Sequence, residues 1–227
     1  MAKNPFDIFK DACTQACRDR QACAKGFKQM LNSNDVSEMM ATWRDNWEDL
    51  VESKYADIIA EKLPDLYPTI KQDMNKAGIY LNECPENARN FVHVLVTGGS
   101  SDPTVTIYGE AKAFILGERP VIAGGHSQVY NTKYNARILL KECAYGNVKA
   151  GVMHMYGYTH AVCNCEVTVH DAVTCTALGG RVRVIGRPNI QAFGTTKVYT
   201  DNIRGIALNG EATVLPPHLW FKGCSMN

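Results

Sequence analysis

The sequence predicts an α+β protein in which an N-terminal helical domain is followed by a parallel β-solenoid built on an eight-residue repeat. Apolar residues recur at three-to-four spacing within the first 90 residues, whereas turn residues recur every eight positions in much of the remainder. The two parts also differ in composition, because the first 90 residues hold 15 of the 23 acidic side chains. We therefore place a domain boundary near residue 90.

Helices are expected throughout residues 1–90. Phe6 and Phe9 fall on one face of a helix that should run to about residue 31. Asp35 and Glu38 have the spacing of a capping box, so a second helix should begin there. We expect Pro64 to end this second helix, because proline removes a main-chain donor.

A shorter helix is expected over residues 69–76, with Gly78 beyond its end. The following segments "IYLNE" and "FVHVLV" have the composition of strands and begin the β region.

The octad repeat is clearest between residues 186 and 214. A residue that tolerates a tight turn recurs every eight positions, at Gly186, Gly194, Asn202 and Gly210. A β-branched residue follows each of these by four positions, at Ile190, Val198, Ile206 and Val214. The same period is present over residues 109–129, and it is broken between about 142 and 169.

An octad of one turn and one short strand cannot enclose a core alone. Two octads would make a flattened coil of about 16 residues and three a triangular coil of about 24, with coils about 4.8 Å apart. We interpret residues 91–215 as such a β-solenoid. An antiparallel sandwich with evenly spaced hairpins is the alternative, although hairpin strands are usually longer than these three-residue segments.

The two ends of a solenoid expose main-chain groups that need a cover. We expect the helical domain to cover one end and the tail, residues 216–227, to cap the other with Trp220 and Phe221. The tail could instead dock into a partner subunit. This apolar tail and the flat sides of a solenoid lead us to expect a homo-oligomer.

Charge and hydropathy limit the location and the partners of the protein. The net charge of +1 does not suit a general nucleic-acid binder. The N-terminal residues do not have the pattern of a signal peptide, and no segment has the apolar length of a membrane span. We expect a cytoplasmic protein that does not contact membranes.

Residues 154–175 hold the densest group of His and Cys side chains. Cys163 and Cys165 are separated by one residue, which places both on the same face of a strand. Zinc sites usually present pairs separated by two to four residues, and no second close pair follows. We assign no catalytic residue, metal site or cofactor, while a metal-dependent or thiol-dependent enzyme using this segment remains the alternative.

The one surface with a predicted binding role is the Arg181 patch. Alternation turns Arg181 and Arg183 outward, because the valines between and after them are inward. In a coil of two octads Lys197 lies beside Arg181 and Tyr199 beside Arg183, and Arg187 is near the following turn. These five side chains would suit a phosphate, a nucleotide or an acidic protein surface. A solvated outer face is the alternative.

Several octads carry a resemblance to known sequences. The segments "YGEAKA", "YNARIL", "YGNVKA" and "NGEATV" resemble the degenerate "YGNATV"-type octads of poorly characterised bacterial and phage proteins. In those proteins a helical segment precedes a β-solenoid, so the resemblance implies the same architecture. It also implies a mobile-element origin and a role in phage–host conflict or in assembly, and it carries over no functional residue.

These observations predict a non-catalytic binding protein. It would sequester an anionic or nucleotide ligand, or block a host protein in evasion of host defence, with the Arg181 patch as its binding surface. A structural assembly subunit is a second possibility, and the enzyme described above is a third.

Overall fold

A computed structural model describes residues 4–20, 24–46, 55–89, 91–170 and 172–220. It confirms the predicted fold class, because helices precede a parallel β-solenoid. Within the described residues the helices are α1 (Pro5–Arg20), α2 (Ala24–Asn32), α3 (Val36–Asp45) and α4 (Tyr55–Lys76).

The first predicted helix is present as α1 and α2, with residues 21–23 outside the described part of the chain. The predicted cap of α3 is formed, since Asp35 Oδ1 accepts a hydrogen bond of 2.9 Å from Glu38 N. α1 and α3 pack through Phe9 and Trp43, whose ring centroids lie 5.6 Å apart in an edge-on arrangement.

The expectation that Pro64 ends a helix is wrong, because α4 continues through Pro64 and Pro68 to Lys76. Both prolines are exposed, while the opposite side of α4 is buried. A proline inside a helix costs about 3 kcal/mol. Each large apolar side chain buried beyond it returns about 1.5–3 kcal/mol, so packing outweighs this cost. The buried residues of α4 are Ala56, Ile59, Leu63, Leu66, Ile70 and Met74.

Strands follow from Ile79, which is ahead of the predicted start of the solenoid at residue 91. All of their pairings are parallel. The strands of the described residues are β1 (Ile79–Leu81), β2 (His93–Val96), β3 (Val105–Ile107), β4 (Lys112–Ile115), β5 (Val121–Ala123), β6 (Gln128–Asn131), β7 (Arg137–Leu140), β8 (Tyr145–Val148), β9 (Val152–Met155), β10 (His160–His170), β11 (Thr174–Ile185), β12 (Asn189–Ala192), β13 (Lys197–Tyr199), β14 (Ile206–Leu208) and β15 (Thr213–Leu215).

The strands form two faces. The first face contains β1, β2, β4, β6 and β8, and the second face contains β3, β5, β7 and β9. The long strands β10 and β11 pass through both faces. Beyond them β12 and β14 extend the first face, and β13 and β15 extend the second.

One coil contains two octads. Ile190 pairs with Ile206, a step of 16 residues. In the middle of the solenoid the coil is shorter, since His160 pairs with Thr174 after 14 residues. This shortening occurs where the octad pattern of the sequence is lost, and β10 and β11 are 11 and 12 residues long there.

The turns between the faces stack on one another as the octads predict. Gly109 and Gly125 have φ values of 63° and 64°, and a Cβ added to Gly125 would lie 3.0 Å from the carbonyl oxygen of Gly109. Glu142 has the same left-handed φ, 59°, and its carboxylate accepts a hydrogen bond from Gly125 N. A side chain is therefore tolerated at this turn, in a conformation that glycine adopts without strain.

The core of the solenoid consists of inward side chains from both faces. On each face one row of them runs along the solenoid with one residue per coil, and all residues of this row except the last are buried. The row of the first face is Val94, Ala113, Val129, Gly146, Ala161, Cys175, Ile190 and Ile206. The row of the second face is Val105, Val121, Ile138, Met153, Val167, Val182, Val198 and Val214.

The helices pack against the outer side of the first coils. Leu95, Phe114 and Leu116 point away from the solenoid interior and share one apolar cluster with the buried sides of α1, α3 and α4. Asp57 of α4 also accepts hydrogen bonds from Lys133 Nζ at 2.5 Å and Tyr134 Oη at 2.8 Å. The helical domain, which we expected to cover one end of the solenoid, therefore packs along its side.

None of the helices in the described ranges combines the length and the apolar character needed to cross a bilayer.

Candidate functional site

Four of the five residues of the Arg181 patch are brought together by the pairing of β11 with β13, whereas Arg187 lies in the turn between β11 and β12. Arg181 lies beside Lys197 and Arg183 beside Tyr199. Between these two pairs Val182 and Val198 are fully buried in the core. The register of a coil of two octads and the outward direction of the cationic side chains therefore agree with the interpretation of the sequence.

The guanidinium group of Arg181 is held between two aromatic rings. Its Cζ atom lies 5.2 Å from the ring centroid of Tyr199 and 4.5 Å from that of Trp220. The group donates a hydrogen bond to the main-chain carbonyl oxygen of Trp220, and it forms an ion pair of 3.4 Å with Glu166. Arg181 thus anchors the beginning of the tail by cation–π contacts and hydrogen bonding.

The tail lies along the outer side of the second face. It turns through a short 3₁₀ helix at Pro217–Leu219, after which Trp220 packs edge-on against Tyr199 with centroids 5.2 Å apart. Both rings are buried. Trp220, expected to cap the solenoid end or dock into a partner subunit, contacts the side of its own chain, while Phe221 lies outside the described residues.

Arg183 and Lys197 lie beside this aromatic cluster on β11 and β13. Lys197 and Arg187 are exposed, and Arg183 is half-buried. Such side chains on the flat outer side of a sheet can attract an anionic surface, and the aromatic rings beneath give them a rigid base.

Arg204 is a further cation that our reading of the sequence missed. A Cβ added to Gly205 would lie 2.5 Å from the carbonyl oxygen of Pro188, so these two turns stack directly. The exposed Arg204 therefore lies one coil above Arg187. It follows Arg187 by 17 residues, one more than two octads, and a search that allowed one extra turn residue would have found it.

The cysteines of residues 154–175 are inside the solenoid. Cys163, Cys165 and Cys175 are buried, and the Sγ atoms of Cys163 and Cys175 are 3.6 Å apart. Contact with the Cys163 thiol, together with burial, raises the pKa of Cys165 and of Cys175 above the usual range. These two thiols are therefore kept neutral and away from solvent, as expected of core residues.

The histidines of the same segment are on the outside. His154 and His160 are exposed, and His170 stacks on Tyr156 with ring centroids 4.1 Å apart. Strand alternation thus separates the imidazoles of this segment from its buried thiols. In the part of the chain that the structure describes, no group of three or more His, Cys, Asp or Glu side chains could hold a metal ion.

The Gly/Ser-rich segment "VTGGSSD", residues 96–102, has main-chain N–H groups that could bind an anion, but a carboxylate of the same segment already contacts one of them. Asp102 accepts a hydrogen bond of 2.9 Å from Gly99 N and forms an ion pair of 3.3 Å with Arg119. The carboxylate of Asp102 therefore fills the position that an external anion would take.

Comparison of the chain with protein-family models, with curated proteins and with solved structures gave no match.

Proposed function

We propose that the protein is a non-catalytic interaction protein that binds an acidic surface of a partner protein through the Arg181 patch. The observation that supports this proposal best is the pairing of β11 with β13, which gathers cationic side chains around a buried aromatic cluster. Opposite charges on two protein surfaces accelerate association and select the partner.

The covered aromatic rings favour a protein surface over a nucleotide. A base would need an exposed ring on which to stack, and both Tyr199 and Trp220 are buried against Arg181. A nucleotide could bind there only after the tail had left. An acidic protein surface needs only the exposed ammonium and guanidinium groups of Lys197 and Arg187.

The resemblance of the octads to bacterial and phage proteins supports a partner in phage–host conflict, for example a host protein that the chain blocks. An enzyme using residues 154–175 has less support, because a Cys–His pair would need a thiol and an imidazole on the same side of the strand. A structural assembly role would use a different surface from the Arg181 patch.

The test replaces two exposed cations, Arg187→Ser and Lys197→Ser, in one variant. Arg181 is left unchanged, because its loss would also release Trp220. The control variant carries Arg137→Ser and Lys141→Ser, which remove the same charges from earlier coils. Binding of labelled poly-glutamate and of ATP is measured for the parent and both variants at low and at physiological salt.

We expect the parent and the control to bind poly-glutamate alike, and the patch variant to bind at least tenfold more weakly, with a smaller salt dependence. Equal binding by all three proteins would show that the patch is a solvated face. Tight binding of ATP by the parent, with loss in the patch variant, would replace the protein partner by a nucleotide. Pull-downs with the same three proteins then identify the natural partner by its absence from the patch variant.

A further inference from the structure

The hydrophobic core of the solenoid is exposed at its C-terminal end. In β12 the inward residues Ile190 and Ala192 are completely buried. Their counterparts one coil further are less buried, since Ile206 is half-buried and Leu208 is 43% exposed. Val214 of β15 is also partly buried, in line with the fully buried residues of the earlier coils. These side chains occupy the same inward positions as the buried residues of the earlier coils, but within the described part of the chain no further coil covers them.

The main-chain groups of β14 at this end also point outward. Ile190 N donates to Gly205 O at 2.7 Å, and Asn209 N donates to Ala192 O at 2.8 Å. In a parallel ladder, alternate residues bond to opposite neighbours, so the N–H and C=O groups of Leu208 turn away from β12. No strand of the described chain pairs with β14 on that side.

Val214 has the same geometry in β15. Thr213 N donates to Thr196 O at 3.0 Å, and Leu215 O accepts from Thr200 N at 3.0 Å. The main-chain groups of Val214 therefore point to the open end as well. Native edge strands are usually protected by charges, prolines or bulges. The sequence of β14 is Ile-Ala-Leu, which contains none of these.

The opposite end of the solenoid is closed by its own chain. The inward residues of β3, Val105 and Ile107, are 3% and 0% exposed although β3 is the first strand of its face. Ala88 and Val92, which precede β2, are buried with them in the same core. A head-to-tail stack of copies would therefore place the open end against a surface that is already covered.

We propose that the C-terminal end of the solenoid, formed by β14 and β15, is covered by a second copy of this chain in a two-fold, end-to-end dimer. A two-fold axis perpendicular to the solenoid makes the facing edges antiparallel, so their main-chain groups can pair. The partly exposed side chains of Ile206, Leu208 and Val214 would then continue one core across the two copies.

The charges of the last coil suit such a symmetric contact. Asp201, Arg204 and Glu211 are all exposed, so the same surface carries both signs. A two-fold axis can place the cation of one copy near the carboxylates of the other, and electrostatic complementarity favours the pairing of identical surfaces.

The route of the tail leaves this end free. After Leu215 the chain turns through Pro217–Leu219 along the side of the second face. Trp220 then contacts Tyr199 and Arg181, which lie one and two coils back from β15. The tail as far as Trp220 therefore runs away from the exposed core residues. This inference does not depend on the Arg181 patch binding a partner.

The experiment measures the mass of the full chain by light scattering and by sedimentation over a range of concentrations. We expect about twice the monomer mass of 25.1 kDa at micromolar concentration. Leu208→Lys should raise the dimer dissociation constant by about 100-fold or more, because an uncompensated charge enters the interface twice. The matched control is Leu178→Lys, at a leucine that is 53% exposed two coils earlier, and it should leave the dimer unchanged.

Hydrogen exchange gives a second measurement that does not depend on a variant folding. In the dimer the amides of Leu208 and Val214 should exchange slowly, and dilution to the monomer should accelerate them selectively. A monomeric parent would overturn the proposal, as would a mass that grows beyond the dimer, which indicates head-to-tail stacking. Equal dimerisation of both leucine variants, or fast exchange of these two amides in the dimer, would also overturn it.

Discussion

The N-terminal and C-terminal ends of the solenoid differ in how well the core is covered. At the N-terminal end the chain has no octad pattern, and Ala88 and Val92 close the core so that Val105 and Ile107 are buried. At the C-terminal end the octads continue to Val214, and in the last coil Ile206 and Val214 are only half-buried while Leu208 is exposed. Octads therefore specify how coils stack, whereas only residues outside the repeat can stop the stacking.

The largest predicted effect is a difference in the free energy of unfolding between matched substitutions at the two ends. Ile107→Asp places a carboxylate in a fully buried site and should cost more than 3 kcal/mol of unfolding free energy. Ile206→Asp occupies the same kind of inward site at the open end, where water can reach it, and should cost about 1 kcal/mol in the monomer. Urea unfolding at a concentration below dimerisation measures both.

Thr195→Asp, on an exposed turn, is the control and should change the free energy of unfolding by less than about 0.5 kcal/mol. Equal costs at Ile107 and Ile206 would contradict the comparison, because they would mean that both ends bury their last core residues to the same degree.

A smaller effect is expected from the tail near the open end. Trp220→Ala removes a buried ring from Tyr199 and Arg181 and should lower the free energy of unfolding by about 2 kcal/mol. Amide exchange in β13 should accelerate, while exchange in β2 and β4 should not change. Tyr158→Ala, at a ring that is 78% exposed, should have almost no effect. Faster exchange throughout the chain would show that the tail does not act locally.

The octad pattern was sufficient to predict the solenoid, because inward residues must repeat with the pitch of the coil, but it left open whether a coil holds two octads or three. For a coil of two octads it predicted that Arg181 would lie beside Lys197, and this pairing is present. The contact of Arg181 with Trp220 could not be read in this way, because the tail lies outside the repeat and its path depends on packing. The course of α4 through Pro64 was missed for a related reason, since tertiary packing overrides a local preference.

The exposure of core residues at the C-terminal end could not be predicted from the sequence either. Ile206 and Val214 are the same residue types as Ile190 and Val198 of the preceding coil, and nothing in them indicates that no coil follows within the described chain. The closure of the N-terminal end is equally difficult to read, since Ala88 and Val92 are two small apolar residues in an irregular segment. The burial of a residue in the first or last coil depends on which segments pack against that coil, and the eight-residue period carries no information about these segments.

The smallest predicted effect is a pH dependence that belongs to the closed end alone. His93 in β2 lies beneath the helices and stacks on Phe114, with ring centroids 5.6 Å apart. Burial, with the nearby charges of Lys112 and Arg44, lowers the pKa of His93 to about 4, although a contact with the Phe91 carbonyl opposes this. The folded-state pKa is therefore below the unfolded value of about 6.5.

Above about pH 6.5 His93 is neutral in both states and does not lower the free energy of unfolding. As the pH falls towards 4 the unfolded chain binds the proton first, so the free energy of unfolding decreases. Between pH 7 and pH 5 the parent should lose about 1.5–2 kcal/mol more unfolding free energy than His93→Gln, as measured by urea unfolding at each pH. Because His93 is in the first coils, hydrogen exchange at pH 5 should accelerate in β2 and β4 before β13 and β15. Identical pH dependence of the parent and His93→Gln would rule out this histidine as the source, and earlier opening of β13 and β15 would place the weaker region at the other end.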